Sequence, residues 1–252
     1  MITRRTLLQS GAAAGAVTIL PFAARAASHA ANTFDTASGK ITVHPVDHAS
    51  FVMETPLGVI YNDPVGDASK YDRFPKADLI LITHHHGDHY KPETLEAIAG
   101  DAKMLVNPKV AEMLPGGLKD KAAVAGNGDT MEMMGVGIEA IPAYNLTEDR
   151  LKYHPKGRDN GYVLTIDGLR VYIAGDTEDI PEMRALTDIG LAFVPMNLPY
   201  TMEVEKAADA VAEFKPAYCY PYHYRDSDPL KFAELVEKSG AAVNVLQGAW
   251  YG

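Results

Sequence analysis

Between positions 84 and 89 the chain places four imidazoles and a carboxylate, His84-His85-His86-Gly87-Asp88-His89, almost directly after the apolar run Leu79-Ile80-Leu81-Ile82. Near the end of a strand, residues two apart share a face, so His84 and His86 can grip one cation while His85 points away. Gly87 lets the backbone turn freely, which brings Asp88 and His89 back toward the same space from another side. Imidazole and carboxylate suit zinc, iron, manganese or nickel better than thiolate-seeking ions. A plain surface histidine tract is the alternative, but H-x-H-x-D-H behind a buried strand reads as a two-metal site.

That motif resembles the signature of the metallo-β-lactamase superfamily, and further pieces fall in the superfamily's order: Ile60-Tyr61-Asn62-Asp63-Pro64, Ala174-Gly175-Asp176-Thr177 and Pro221-Tyr222-His223-Tyr224. The opening His48-Ala49-Ser50-Phe51 is similar to the branch that holds relatives of ascorbate-phosphate lactonase and N-acylphosphatidylethanolamine phospholipase D. The resemblance covers most of the chain after about residue 40 and implies an α/β fold, a four-layer αββα sandwich with the metals between the edges of two similar β-rich halves that divide near residue 135.

Carried over, the resemblance implies that His84 and His86 hold a first cation, that Asp88, His89 and His223 hold a second, and that Asp176 bridges both. The two oxygens of a carboxylate suit the bridging position, and Val171-Tyr172-Ile173-Ala174 is a credible strand to deliver it. Alone, Asp176 would read as the Asp of a Gly-Asp-Thr turn, and His223 as a buried histidine satisfied by hydrogen bonds. Relatives usually give the first metal a third histidine after a strand, where this chain has Asn145. An amide oxygen is the weaker ligand, so His154, nine residues on in a polar loop, is a candidate helper; a solvated loop residue is its other reading. If neither serves, a single cation would bind.

The implied chemistry is hydrolysis. Two divalent cations, with zinc expected first and manganese, iron or nickel as alternatives, would share a water about 3.5–4 Å between metals and make a metal-bound hydroxide available near neutral pH. Asp88 is the expected catalytic residue, orienting that nucleophile toward a small ester, lactone or phosphodiester. Asp63 would support a ligand histidine from behind or simply close an Asp-Pro turn. His48 reads as a structural hydrogen-bonding group near the pocket. The segment Met196 to Met202, with Tyr144, Tyr153, Tyr222 and Tyr224, could wall the cleft, and Arg225 could meet a substrate anion or form a surface ion pair. An iron-dependent redox enzyme and a noncatalytic metal- or ligand-binding module on the same fold are the competing functions.

Composition is compatible with this. A chain of 252 residues, 47% hydrophobic, can bury a large core, and no linker divides residues 27–252, which read as one domain. The one cysteine, Cys219, sits in an apolar strand and suits packing better than catalysis. Residues 1–26, with Arg4-Arg5, an Ala/Gly-rich apolar run from Gly11 to Ala24 and Ala24-Arg25-Ala26, read as a twin-arginine signal peptide whose partner is the twin-arginine export machinery. Cleavage would leave a periplasmic or secreted protein without a stable membrane anchor, since the run is short for a span. It would also move the formal charge of -10 three units further negative, which disfavours nucleic acid as a partner and leaves a small molecule as the expected one.

The positioning elements are legible in outline. Residues 41–44, 50–54 and 59–61 alternate as strands, with Pro56-Leu57-Gly58 as a turn. Asp167-Gly168 marks a hairpin between residues 161–166 and 169–174. Helices are expected from Pro92 to Gly100, across Glu203 to Phe214 before Pro216, and from Asp228-Pro229 to Ser239 with Gly240 beyond.

Overall fold

A computed structural model describes residues 32–251. Seven strands form the first sheet in chain order: β1 (Asn32–Asp35), β2 (Lys40–Asp47), β3 (Ser50–Thr55), β4 (Gly58–Asn62), β5 (Leu79–Ile82), β6 (Lys103–Val106) and β7 (Ala122–Val124). The second sheet contains β8 (Thr130–Met133), β9 (Val136–Ala143), β10 (Asp159–Ile166), β11 (Leu169–Ile173), β12 (Leu191–Pro195), β13 (Tyr218–Tyr222) and β14 (Asn244–Val245), also in sequential order. In each half the first four strands pair antiparallel and the last three continue in parallel. The halves part between Val124 and Thr130; residue 135 instead lies in the tight turn of the β8–β9 hairpin, where Met134 and Gly135 both have positive φ.

Side-chain alternation sorts the strands into layers. Leu79 and Leu81 of β5 enter the core between the sheets, together with Phe51, Val171, Ile173, Leu191, Phe193, Tyr220 and Tyr222. Ile80 and Ile82 face the other way, onto a core shared with helices α1 (Pro92–Ile98), α2 (Pro108–Met113) and α3 (Gly116–Lys119) through Leu95, Val110 and Leu118. On the far side Tyr172, Ala192, Val194 and Cys219 pack under α4 (Pro181–Arg184), α5 (Val204–Phe214) and α6 (Pro229–Lys238). The result is the expected αββα sandwich. Burial on both faces explains why the central parallel strands are unbroken apolar runs.

The expected hairpin turns at Asp167-Gly168, and the three expected helices form. Asp228 caps α6 by accepting from Leu230 N and Lys231 N, while α5 stops at Lys215 in the left-handed conformation ahead of Pro216. Cys219 is fully buried, and burial pushes its thiol well above the usual range, in keeping with a packing role. Among the described residues, no helix is long and apolar enough to cross a membrane.

Candidate metal centre

The site gathers at the carboxyl ends of parallel strands from both sheets, where open α/β sheets leave polar backbone for a ligand. His84, His86, Asp88 and His89 follow β5; Asp63 follows β4; Asp176 follows β11; His223 follows β13. Thr83 ends β5 by donating its backbone N–H to Asp63 Oδ1 at 2.7 Å and its hydroxyl to Asp63 Oδ2 at 2.7 Å. The histidine turn therefore starts from a fixed point. Asp63 and His223 hold positive φ, at 42° and 48°, a conformation that costs energy and persists only where surrounding contacts enforce it.

Two groups of potential ligand atoms result, each drawn together within 4.8 Å: His84, His86, His154 and Asp176 in one, and His48, Asp88, His89 and His223 in the other. Asp176 touches both. Its Oδ2 lies 3.4 Å from His154 Nε2, 3.3 Å from His223 Nε2 and 3.8 Å from His84 Nε2, and its Oδ1 lies 3.2 Å from His89 Nε2. His84 Nε2 and His86 Nδ1 are 3.1 Å apart. Asp88 Oδ2 is 3.6 Å from His223 Nε2 and 3.2 Å from His48 Nε2.

Of the two candidates for the third position at the first group, the structure brings His154 into it. The backbone N–H of Asn145 donates to His154 O at 2.9 Å, closing the intervening loop. The Asn145 amide nitrogen donates to Arg150 O and to Tyr200 O, at 3.0 and 2.9 Å, clipping this loop to residues 197–201. Buried Glu178 braces it further, accepting from Leu146 N and Thr147 N at 2.8 Å each. His154 is thus held over the site rather than solvated.

Two of the rings are also gripped from behind. Asp63 Oδ2 sits 2.8 Å from His89 Nδ1, and Asp159 Oδ2 sits 3.0 Å from His154 Nδ1 while accepting from Arg158. Such partners direct the opposite nitrogen at a cation and raise its basicity. Asp63 therefore takes the supporting role anticipated for it. Asp159 and Glu178 carry no sequence signal for the site, whereas His48, expected as a structural hydrogen-bonding group near the pocket, stands in the second group. Tyr222, expected on the cleft wall, is buried in the core between the sheets and accepts a hydrogen bond from Gly175 N at 3.0 Å, so it steadies the Asp176 turn. His44, on β2, pairs with Glu54 Oε1 of β3 at 2.8 Å, away from the site.

The buried atoms fit a cation. His89 Nε2, His154 Nε2, His223 Nε2 and Asp176 Oδ1 all lack a hydrogen-bond partner, although His89 Nε2 and Asp176 Oδ1 are within contact distance. They face a common space instead of aligning on each other, an arrangement that would be costly unless something positive is shared. Burial, reinforced by His89, holds the His84 ring well below its ordinary pKa, and burial with His154 lowers His86 to about 4, so both present neutral lone pairs. Burial also opposes charge on His89 and His154, yet Asp176 with Asp63, and Asp159 with Asp176, draw both rings above the ordinary value. The carboxylates thus call for positive charge, which a divalent cation supplies more compactly than protons.

Comparison with known proteins agrees with this geometry. The beta-lactamase superfamily domain matches residues 42–223. The UPF0173 metal-dependent hydrolase of Pyrococcus horikoshii is 31% identical over 222 residues, covering 82% of this chain and 97% of its own. The crystal structure of a provisionally named metal-dependent hydrolase from Parabacteroides distasonis is 43% identical, covers 89% of this chain and 100% of its own, and superposes with a TM-score of 0.80. The metallo hydrolase Igni18 from Ignicoccus hospitalis is 27% identical over 82% of this chain and 95% of its own, at a TM-score of 0.67. The family match over most of the chain, with relatives covered almost end to end, makes the chain a member of the metallo-β-lactamase superfamily and a metal-dependent hydrolase.

Proposed function

We propose that the protein hydrolyses a small ester, lactone or phosphodiester with water activated between two divalent cations, zinc in the first instance. The observation that carries this reading is Asp176, whose carboxylate stands between the two groups, with Oδ2 against His84, His154 and His223 and Oδ1 against His89. His84, His86 and His154 would hold one cation, Asp88, His89 and His223 the other, with Asp176 between them. Bound there, the cations would lower the pKa of shared water toward about 7 and polarise the electrophile.

The chain's own groups do the rest. Burial pushes the Asp88 carboxyl up, but its contacts with His223 and His48 overcome this and hold it well below the usual carboxylate range. It is an acceptor at neutral pH, suited to orienting the attacking water rather than storing its proton. Arg225, half-exposed with its guanidinium 3.8 Å from Asp88 Oδ2, stands where an anionic substrate group would pass. Exposed Leu146 and Leu151, with Leu198 and Tyr200 on the clipped neighbouring loop, give the loop that carries His154 apolar surface for an uncharged substituent.

Dialysis against a chelator should abolish turnover of at least one ester, lactone or bis-phosphoaryl probe, and zinc should restore it. Turnover restored only by iron with consumption of oxygen would overturn the hydrolytic reading.

The Arg4-Arg5 leader, outside the described residues, supports export to the periplasm as a folded protein. With Arg4→Lys and Arg5→Lys together, precursor should accumulate unprocessed in the cytoplasm. Processing at an unchanged rate would contradict export by this route.

A further inference from the structure

We infer that His48 is an additional ligand of the second cation and that Tyr251, near the C-terminus, is the positioning residue that aims it; this rests on the two-metal reading above. His89 and His154 share one wiring, with Nδ1 against an oxygen and Nε2 turned toward the centre. His48 repeats it. Its Nδ1 lies 2.6 Å from the Tyr251 hydroxyl, 203 residues away in sequence, and its Nε2 lies 3.2 Å from Asp88 Oδ2. The ring is buried and packs against that of His223 at 3.8 Å between centroids.

The backbone is arranged to the same end. His48 adopts a φ of 44°, in the left-handed region, at the point where β2 turns into β3. Its N–H donates to Trp250 O at 3.2 Å, and its carbonyl accepts from His223 N at 3.0 Å. The terminal segment therefore ties directly to His48, which in turn holds the backbone of His223. Trp250 is buried in the core between the sheets, against Phe51 and Phe193, which anchors the segment. Tyr251 is itself fixed by accepting from Arg225 N at 2.9 Å and by edge contact with Tyr224 at 4.8 Å. With the Tyr251 oxygen accepting from His48 Nδ1–H, as it accepts from Arg225 N, the ring would take the tautomer whose lone pair is on Nε2, the form a metal needs.

The test is cobalt titration of the full metal-free chain followed by absorption spectroscopy, comparing unaltered protein with Tyr251→Phe and His48→Ala. Tyr251→Phe keeps the ring against Tyr224 and removes only the hydroxyl. Second-ion affinity should fall about 10- to 100-fold in Tyr251→Phe and at least as far in His48→Ala, the range for loss of a group supporting a ligand. The second cobalt's visible band should shift, while first-ion affinity stays unchanged. Two-ion uptake with unaltered second-site affinity and band in both variants would overturn this inference alone. Failure of the unaltered protein to take two ions would overturn the two-metal reading beneath it as well.

Discussion

Asp176→Ala is expected to lower kcat/KM by about 10³-fold or more, roughly 4 kcal/mol of transition-state stabilisation, and to leave the protein unable to hold two cations. Its carboxylate is nearly fully buried and contacts His84, His89, His154 and His223. Among the described residues no other acid reaches both groups: Asp88 belongs to the second, and Asp63 and Asp159 stand behind rings. Removal would leave no carboxylate between the two groups to offset the repulsion of two dications. Asp176→Asn separates charge from shape, since it keeps one oxygen and one face of the site. It should retain at most one ion and lose nearly as much activity. Metal content by mass spectrometry and initial rates on the same samples check both variants; two retained ions in Asp176→Ala would remove the bridging role.

Gly175→Ala is the substitution expected to cost most in folding. Gly175 has a φ of +65°, and an added Cβ would lie 2.6 Å from the carbonyl oxygen of Asn160 and 3.4 Å from Thr83 Cβ. The nearer neighbour is sheet backbone and cannot swing aside. Left-handed strain of about 1–2 kcal/mol adds to overpacking of about 1–3 kcal/mol. At roughly 2–4 °C per kcal/mol for a chain of this size, the thermal midpoint should fall by about 5–15 °C. Because the turn delivers Asp176, activity should fall too. Gly168→Ala is the internal control: its φ is +85° but an added Cβ meets nothing within 4 Å, so only the backbone strain remains and the loss should be clearly smaller. Calorimetry of all three proteins at one fixed zinc concentration makes the comparison, since bound metal adds its own stabilisation. Equal midpoints for Gly175→Ala and Gly168→Ala would refute the steric argument.

How much of this was legible in the sequence depended on how far apart the causes lie. The β5 run and its histidines are local: apolar residues buried on both faces are followed at once by the polar turn. The Asp167-Gly168 hairpin and the Asp228 cap are equally local, each set by two or three residues. Helix α2 carries an equally local start signal in Asn107-Pro108, the Asn107 side chain accepting from Val110 N. Tyr222 was misjudged where strand alternation would have corrected it, because it shares a face with Tyr220 and points into the core.

His154 and His48 are different. Ligand geometry at His154 exists only after the loop closes through Asn145, Glu178 and Asp159, none of which marks the histidine locally. His48 read as structural because its partners, Asp88 and Tyr251, lie 40 and 203 positions away. Asp159, at the first position of a hairpin strand, shows no pattern that separates it from a surface acid.

The central claim is a pair of cations spanned by Asp176. Crystals of the zinc-loaded protein, with diffraction recorded on both sides of the zinc absorption edge, test it most directly. Two anomalous peaks should flank Asp176, one among His84, His86 and His154 and the other among Asp88, His89 and His223. A single peak, or zinc bound only elsewhere on the surface, would contradict the account.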